Sequence, residues 1–373
     1  MMNAVISGTG LYTPEHAIDN DALVASFNTW VDRENARHAE AIAAGEREAL
    51  QYSSSEFIVK ASGIHSRYVL DASGILDPER MRPRLAERHN DAPSIQCEMG
   101  RVAAGQALEA AGIEAADIDL LIVACSNLER PYPAVAVELQ ALLGTRGYAF
   151  DMNVACSSAT FAIDNAANAI RAGNVRRALV VNPEICSAHL NFRERDSHFI
   201  FGDACTAVVL EADDLATADG RFEILGTRLS TRFSNAIRNN SGFLNRITDS
   251  DPLLPDKLFV QEGRRVFKEV CPMVSQMINE HLASLDLQGS DLSRLWLHQA
   301  NRHMNDLIAR RVLGHEPDER TAPIILDRYA NTSSAGSIIA FHLHRDDLAS
   351  GQLGVVCSFG AGYSAGNVVL RKV

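Results

Sequence analysis

Short apolar runs alternate with amphipathic stretches over most of the chain. Residues 117–127 (DIDLLIVACSN) and 291–301 (DLSRLWLHQAN) each place an Asp before an apolar strand and end on an Asn. Residues 157–171 and 301–313 instead carry apolar side chains at helical spacing and end close to a glycine, which is typical of helix termini. Strands that alternate with helices favour an α/β fold whose mostly parallel sheets are covered on both faces.

Several strand segments occur twice along the chain. Three pairs match at an offset of 174 to 176 residues, and such self-similarity predicts two duplicated halves, residues 1–212 and 221–373. A less specific reading is that any α/β protein repeats an Asp, an apolar strand and a polar end. The matched pairs are 117–127 with 291–301, 151–159 with 327–335, and the strands 177–181 and 354–358, the last pair aligned at Val180 and Val355.

A fourth pair near the start shows that the first half is longer than the second. Residues 6–10 (ISGTG) resemble residues 224–228 (ILGTR) at an offset of 218, so the first half carries an insertion. We place it near residues 31–54. Because residues 31–51 are rich in Ala, Glu and Arg and lack proline, they predict an added surface helix or helix pair.

Composition narrows the classes of protein that fit. The 373 residues have a net charge of −12, with 46% apolar and 22% charged residues, as in ordinary globular proteins. The acidity argues against a nucleic-acid partner. Because the chain has no long apolar run and no basic leader, we expect no membrane span and no secretory signal. Seven cysteines without CxxC or HExxH motifs fit a cytoplasmic protein without a metal site.

Three candidate reactive groups fall at matching strand ends. Cys156 lies where a strand meets a helix N-terminus, which favours the thiolate that acyl transfer needs. His298 follows an apolar strand, and Asn331 lies in the duplicate of the Cys156 segment. We expect the three to converge at the ends of the sheets. Taken singly, they could be a buried inert thiol, a core histidine and a turn asparagine.

The C-terminal segment 358–366 (SFGAGYSAG) adds a glycine-rich turn. Three glycines among nine residues allow the backbone to approach a ligand closely. Backbone N–H groups there could bind a thioester oxyanion, although a plain turn before the last strand would also explain the glycines.

Together these segments resemble the β-ketoacyl-acyl-carrier-protein synthase III family of the thiolase superfamily. The matching pieces include ISGTGLYTPE, FIFGDACTAVVLE, and the ordered set formed by the Cys156 segment, HQAN and ANTSSAG. The resemblance implies a thiolase-like, five-layered α-β-α-β-α fold built from two duplicated halves, and a homodimer. It also implies an acyltransferase of fatty acid biosynthesis that condenses an acyl-CoA primer with malonyl-acyl-carrier-protein (malonyl-ACP), with no metal or redox cofactor.

The resemblance also assigns roles to residues. Cys156 would carry the acyl group, and His298 and Asn331 would hydrogen-bond the malonyl thioester carbonyl. An Asn donates hydrogen bonds but is no base, which suits decarboxylation. The oxyanion hole would use backbone N–H groups at Cys156, Gly360, Ala361 and Gly362. Expected substrate-binding residues are Phe57, Tyr132, Phe267 and Asn301.

Departures from the family pattern and the acidic carrier protein sharpen these expectations. Phe57 replaces a common Trp, Ala61 replaces a common Arg, and Tyr132 stands where a Phe often reaches the partner's acyl pocket, so a medium-chain primer is plausible. An acidic carrier protein requires a basic surface near the active site. The expected patch, which could otherwise be an ordinary solvated face, comprises Arg264, Arg265, Lys268, Arg302, Arg310 and Arg311.

Two alternatives remain open at this point. One is a condensing enzyme of secondary metabolism, in the same superfamily, that uses a CoA acceptor. The other is a Cys-His-Asn hydrolase, because the three residues also occur in that chain order. A hydrolase of that kind predicts no internal duplication.

Overall fold

The chain folds into alternating strands and helices. The structure, a computed structural model, describes residues 2–251 and 254–373. Over these ranges the strands are β1 (Ala4–Tyr12), β2 (His16–Asp19), β3 (Ser66–Val69), β4 (Leu120–Ala124), β5 (Tyr148–Met152), β6 (Arg177–Ile185), β7 (Asp203–Ala212), β8 (Phe222–Ser234), β9 (Ile237–Asn239), β10 (Phe259–Gln261), β11 (Leu292–Leu297), β12 (Leu353–Gly360) and β13 (Gly362–Lys372). The helices are α1 (Asn20–Arg37), α2 (Ala39–Ala43), α3 (Ser55–Ser62), α4 (Ile95–Ala111), α5 (Val135–Leu143), α6 (Ser158–Arg171), α7 (Gly263–Ala283), α8 (Arg302–Leu313), α9 (Leu326–Tyr329) and α10 (Ala335–Leu343).

One large sheet contains the strands that the repeats predicted. Its order is β11-β12-β13-β8-β1-β7-β6-β4-β5, and β1 and β8 join at two residue pairs, Val5 with Glu223 and Ile6 with Phe222. Outward from this junction, β1-β7-β6-β4 on one side corresponds to β8-β13-β12-β11 on the other. At the outer end β5 extends the first part, whereas the matching segment of the second part forms α9.

The expectation of mostly parallel sheets is wrong. β4 runs parallel to β5 and β6, and β11 runs parallel to β12, but the other pairs of this sheet are antiparallel. Part of the reason is local, since Ala361 alone separates β12 from β13. A connection that short returns the chain in the antiparallel direction.

Alternating strand residues build five layers, because successive side chains point to opposite faces of a sheet. In β4, Leu120 and Ile122 pack with the inner helices α6 and α10, whereas Leu121 and Val123 pack with the outer helices α4 and α5. The second part of the sheet repeats this arrangement, with α7 and α8 on its outer face. The α-β-α-β-α layering predicted from the resemblance is thereby confirmed.

The two helices predicted at residues 157–171 and 301–313 are α6 and α8, and each begins within one residue of its predicted start.

The insertion differs from expectation at its beginning. Its helix starts at Asn20, where Asp19 Oδ1 accepts a hydrogen bond from the Ala22 N–H at 2.8 Å, which caps the helix N-terminus. The short helix α2 then ends at Ala43. Among the described helices, none has both the length and the apolarity needed to cross a membrane.

Candidate active site

Cys156 lies on a sharp turn between β5 and α6. Ala155 has a φ of 47°, a left-handed conformation that is uncommon for a residue with a side chain. Ser158 fixes the turn, because its hydroxyl accepts from the Val154 N–H at 2.9 Å and donates to the Ala155 carbonyl at 2.7 Å. The turn presents the thiol at the inner helix layer, between the two parts of the sheet.

The β12–β13 turn approaches the thiol from the second part of the sheet. The Ala361 N–H and the Cys156 N–H both hydrogen-bond the thiol and act to lower its pKa. Gly360 makes the approach possible, because a Cβ at this position would lie 2.9 Å from Cys156 Sγ. Two of the backbone groups expected in an oxyanion hole therefore point at the candidate nucleophile.

The expected thiolate is not favoured in the free protein. Cys156 is partly exposed, but burial raises the pKa of its thiol to about 11, and the charge of Glu184 adds to the rise. The Ser333 side chain and the two backbone N–H groups oppose the rise without cancelling it. Desolvation of the sulfur raises the thiol pKa by more than the helix N-terminus lowers it. The thiol is therefore protonated at neutral pH.

His298 follows β11 and is buried in the wall of the same cavity. Its backbone N–H donates to the Cys357 carbonyl at 2.7 Å, and its ring meets the Phe359 ring edge-on at 5.2 Å. Burial lowers the pKa of His298 to about 4, against a smaller opposing effect of the Ser333 backbone. The imidazole is therefore neutral at physiological pH and can donate a hydrogen bond or accept a proton.

Asn331 occupies the turn that corresponds to the Cys156 turn. Its backbone N–H donates to the Ile200 carbonyl at 2.9 Å, and Ala330 before it has a φ of 53°. The side-chain Oδ1 accepts from the Ser333 N–H at 2.9 Å. Because that partner can only donate, the amide orientation is fixed and Nδ2 is left as the donor for a ligand.

A single cavity of about 450 Å³ brings the three predicted groups together. Cys156, His298 and Asn331 all line it. Most other lining side chains are apolar, which suits an alkyl chain. We define the cavity mouth by its exposed charged lining residues, Asp196, Arg264 and Lys268. The large apolar lining residues are Phe199, Ile200, Phe201, Ile237, Phe259, Val266, Phe267, Val270, Met304 and Phe359.

The expected substrate-binding residues divide into two groups. Phe267 and Asn301 line the cavity, and Asn301 also caps α8 by accepting from the His303 N–H at 2.9 Å. Phe57 and Tyr132 do not line the cavity in the part of the chain that the structure describes. Phe57 packs edge-on against Phe199 at 5.9 Å, just behind the cavity wall, whereas Tyr132 is 82% exposed on the protein surface.

The six expected carrier-protein residues do not form one cluster at the mouth. Arg264 and Lys268 line the cavity, but Arg310 and Arg311 lie in the last turn of α8, at the opposite end of that helix from the lining residue Met304. Arg265 is paired with Glu262 and Glu269, Arg302 with Asp306, and Arg310 with Glu316. α8 is 12 residues long, and this length separates the basic side chains.

Sequence reasoning missed two groups that support the site. Ser333 donates its N–H to Asn331 and acts on the pKa of both Cys156 and His298. Glu184, buried in β6, accepts hydrogen bonds from the N–H groups of Ser126 at 3.0 Å and Ser334 at 3.1 Å. It therefore links the turn after β4 to the Asn331 turn. Its signal in the sequence was a lone acid at the end of an apolar strand, RALVVNPEI.

Comparisons with known proteins agree with this geometry. Residues 150–232 match the family model described as 3-oxoacyl-[acyl-carrier-protein (ACP)] synthase III, and residues 282–372 match the model of its C-terminal part. The chain belongs to this family of acyltransferases, which form carbon–carbon bonds in fatty acid biosynthesis. The family assignment favours neither the secondary-metabolite enzyme nor the hydrolase.

Individual relatives refine the comparison. The chain is 63% identical over 347 residues to a beta-ketodecanoyl-[acyl-carrier-protein] synthase of Pseudomonas aeruginosa, covering 93% of this chain and 99% of that protein. It is 31% identical to the beta-ketoacyl-[acyl-carrier-protein] synthase III of Acidiphilium cryptum, over 100% of both chains. The crystal structure of 3-oxoacyl-(acyl carrier protein) synthase III from Pseudomonas aeruginosa PAO1 shares the fold, with a TM-score of 0.75, 24% identity and coverage of 99% and 98%.

Proposed function

We propose that this protein condenses a medium-chain acyl-CoA with malonyl-ACP to give a 3-oxoacyl-ACP, through an acyl-Cys156 intermediate. The observation that carries the proposal is the meeting of Cys156, His298 and Asn331 in one largely apolar cavity. A thiol, a neutral imidazole and an oriented amide are the groups that thioester exchange and enolate stabilisation require.

An eight-carbon primer is the chain length that the name of one relative supports. The P. aeruginosa protein, 63% identical to this chain, is named a beta-ketodecanoyl-ACP synthase, and its named product has a ten-carbon acyl group. Malonyl-ACP contributes two of those carbons after it loses CO2, so the primer supplies the other eight. The cavity size supports an alkyl occupant, because about 450 Å³ falls within the range of ligand pockets, roughly 300–1,000 Å³.

In the first half-reaction, Cys156 exchanges its thiol for the thiol of CoA. Its sulfur attacks the acyl carbonyl, the new C–S bond forms, and the bond to the CoA sulfur breaks. The proton lost by Cys156 ends on the departing CoA thiolate, and neutral His298 is the group that can relay it. The N–H groups of Cys156 and Ala361 would stabilise the oxyanion that forms in between.

In the second half-reaction, malonyl-ACP loses CO2 and attacks the acyl-enzyme. The electrons of the broken C–C bond form a thioester enolate, whose oxygen would accept hydrogen bonds from His298 and from Asn331 Nδ2. The enolate carbon then bonds to the acyl carbonyl carbon, and Cys156 leaves as a thiolate that takes up one proton. The balance is one CO2 released and one proton consumed.

The carrier protein would dock at the cavity mouth. Arg264 and Lys268 are exposed, one turn apart on α7, and both line the cavity. An acidic carrier protein would meet these two charges first, since complementary charge steers association. The other four basic residues would attract the carrier protein from a longer distance through their positive electrostatic field. They are Arg265, Arg302, Arg310 and Arg311.

We further propose that the protein is a cytoplasmic homodimer in which residues 1–212 and 221–373 are the duplicated halves. The corresponding strand orders support the halves, and seven free cysteines support a reducing compartment. β5 is an edge strand with exposed Tyr148 and Phe150, and Val137 and Leu142 on α5 are also exposed. An apolar edge of this kind is suited to pairing with a second copy.

The experiment that tests the proposed function is a two-step assay with a panel of acyl-CoA primers from two to twelve carbons. Intact mass spectrometry follows acylation of the protein, and the acyl-enzyme is then given malonyl-ACP or, separately, malonyl-CoA. We expect a stoichiometric acyl adduct, absent from Cys156→Ala, and 3-oxodecanoyl-ACP from the eight-carbon primer. Product from malonyl-CoA alone would instead support a CoA acceptor.

A further inference from the structure

One wall of the cavity belongs to a loop that packs against the insertion. Loop 189–202 connects the turn after β6 to β7, and its residues Asp196, Phe199, Ile200 and Phe201 line the cavity. Phe199 and Phe201 share one buried cluster with Phe27 of α1. The insertion and the cavity wall are therefore parts of the same packed unit.

His198 is the central contact between them. Its ring stacks on Phe27 with centroids 4.5 Å apart and planes inclined by 19°. Its Nε2 hydrogen-bonds the Ser53 hydroxyl at 2.9 Å. All three residues are at least 95% buried, so this contact is shielded from water. Phe199, the next residue along the loop, then faces the cavity.

The returning segment of the insertion is tied firmly to α1. The Asn28 side chain accepts from the Ser53 N–H at 2.9 Å and donates to the Ser53 carbonyl at 3.1 Å. Asn35 makes the same pair of hydrogen bonds with Leu50, at 2.8 and 3.0 Å. Two asparagines thus fix residues 50–53 alongside the helix, and the position of the Ser53 hydroxyl follows from them.

A second contact reaches the same loop three residues earlier. Arg195 Nε donates to the Tyr52 carbonyl at 2.8 Å, and its guanidinium lies 4.1 Å from the centre of the Phe57 ring. Residues 52 and 53 therefore hold Arg195 and His198, on either side of the cavity-lining residue Asp196.

We propose that the insertion positions loop 189–202 and thereby sets the fit of the acyl chain, with Ser53 and His198 as positioning residues. This inference rests on the proposed function, because it concerns the same cavity. A loop held at two points keeps its aromatic wall in one place, and a fixed wall discriminates between chain lengths better than a mobile one.

The test removes a single hydroxyl. Ser53→Ala deletes the hydrogen bond to His198 but keeps both backbone bonds to Asn28. We expect the KM for octanoyl-CoA to rise about fivefold, the factor that follows from losing one ordinary hydrogen bond, while kcat changes less than about twofold. The preference for eight carbons should also broaden, and amide hydrogen exchange in loop 189–202 should become faster.

Ser55→Ala is the matched control, because the Ser55 hydroxyl donates to Asp21 of α1 instead of to the loop. It should leave KM and loop exchange as in the wild type. Ser53→Thr, which keeps the hydroxyl, should restore the wild-type KM. If Ser53→Ala does not fold, Phe27→Leu removes the ring stacking at similar volume and should raise KM in the same direction.

Failure of this inference can be told apart from failure of the proposed function. If the wild type is acylated with a chain-length preference and Ser53→Ala has the same KM, preference and exchange, the positioning role is overturned alone. If the wild type is acylated by no acyl-CoA of the panel, the proposed function itself fails. Equal changes in Ser53→Ala and Ser55→Ala would assign the effect to general loosening of α1 and would also overturn the role.

Discussion

Gly360 lies directly against Cys156: a Cβ at position 360 would stand 2.7 Å from the Cys156 Cβ and 2.9 Å from its sulfur. Gly360→Ala should therefore push the thiol away from the Ala361 N–H. A displacement of about 1 Å at a reacting atom costs about 100-fold in rate, so we expect acylation by octanoyl-CoA to slow by about that factor. Intact mass spectrometry of samples quenched at successive times measures the acylation rate.

Gly105→Ala is the control for this substitution, because a Cβ at that position of α4 meets no atom within 4 Å. It should fold and react as the wild type does. Wild-type acylation by Gly360→Ala would show that the close approach of the β12–β13 turn is unimportant for the thiol.

The raised pKa of Cys156 predicts how its reactivity depends on pH. Burial raises this pKa to about 11, so the thiolate is a small fraction at pH 7 and grows about tenfold per pH unit below the pKa. Alkylation of the free enzyme by iodoacetamide should therefore accelerate steadily from pH 7 to about pH 9 without levelling off. An alkylation rate that is already level above about pH 7 would instead indicate a pKa at or below neutrality, and thus the thiolate expected from the helix N-terminus.

His298 and Asn331 should separate the two half-reactions. Both groups are placed to donate hydrogen bonds to the malonyl carbonyl, so Asn331→Ala should keep acylation by octanoyl-CoA but lose at least about 100-fold in condensation. His298→Ala should lose condensation to a similar degree. Single-turnover acylation and CO2 release measure the two steps separately.

The two variants differ in one respect that tests the proton relay. Because neutral His298 can also carry the Cys156 proton, His298→Ala should slow acylation modestly, whereas Asn331→Ala should leave it at the wild-type rate. Equal loss of both half-reactions in His298→Ala would assign its main role to the thiol. Wild-type condensation by Asn331→Ala would show that the Asn331 amide takes no part in the reaction.

Charge reversal at the cavity mouth should weaken use of the carrier protein. Lys268→Glu is expected to lower kcat/KM for malonyl-ACP about tenfold at low salt and less at high salt, since exposed charges are screened. Arg310→Glu, at the far end of α8, should have a smaller effect. Acylation by a neutral octanoyl thioester of N-acetylcysteamine is the control, and a drop there as well would indicate damage to the cavity.

The sequence carried the correspondence between two sets of strands, because matching segments occur twice along the chain, and it pointed to three candidate reactive groups that the structure places around one cavity. It could not give the pKa of Cys156, which depends on water removed by residues far along the chain, nor the contact of Ser53 with His198. Strand direction was also out of reach, because a one-residue connection at Ala361 is visible only once β12 and β13 are known to pair. The structure places two of the six basic residues, Arg264 and Lys268, at the cavity mouth, and helix spacing alone did not show which of the six would lie there.

Tyr132 tests whether a second copy of the chain helps to set the primer length. It is 82% exposed, does not line the cavity of its own chain, and lies between β4 and α5, the elements of the apolar edge that we propose as the dimer contact, so we expect its ring to reach the partner's cavity. If it closes the end of that cavity, Tyr132→Ala should shift the preferred primer beyond eight carbons. Each further methylene buried contributes about 0.8 kcal/mol, so the two extra methylenes of the ten-carbon primer correspond to about a 15-fold gain in kcat/KM. The same panel of acyl-CoA primers measures the shift, with sedimentation to verify that the wild type and the variant both form the proposed dimer. An unchanged preference in a dimeric Tyr132→Ala would leave chain length to the walls within one protomer.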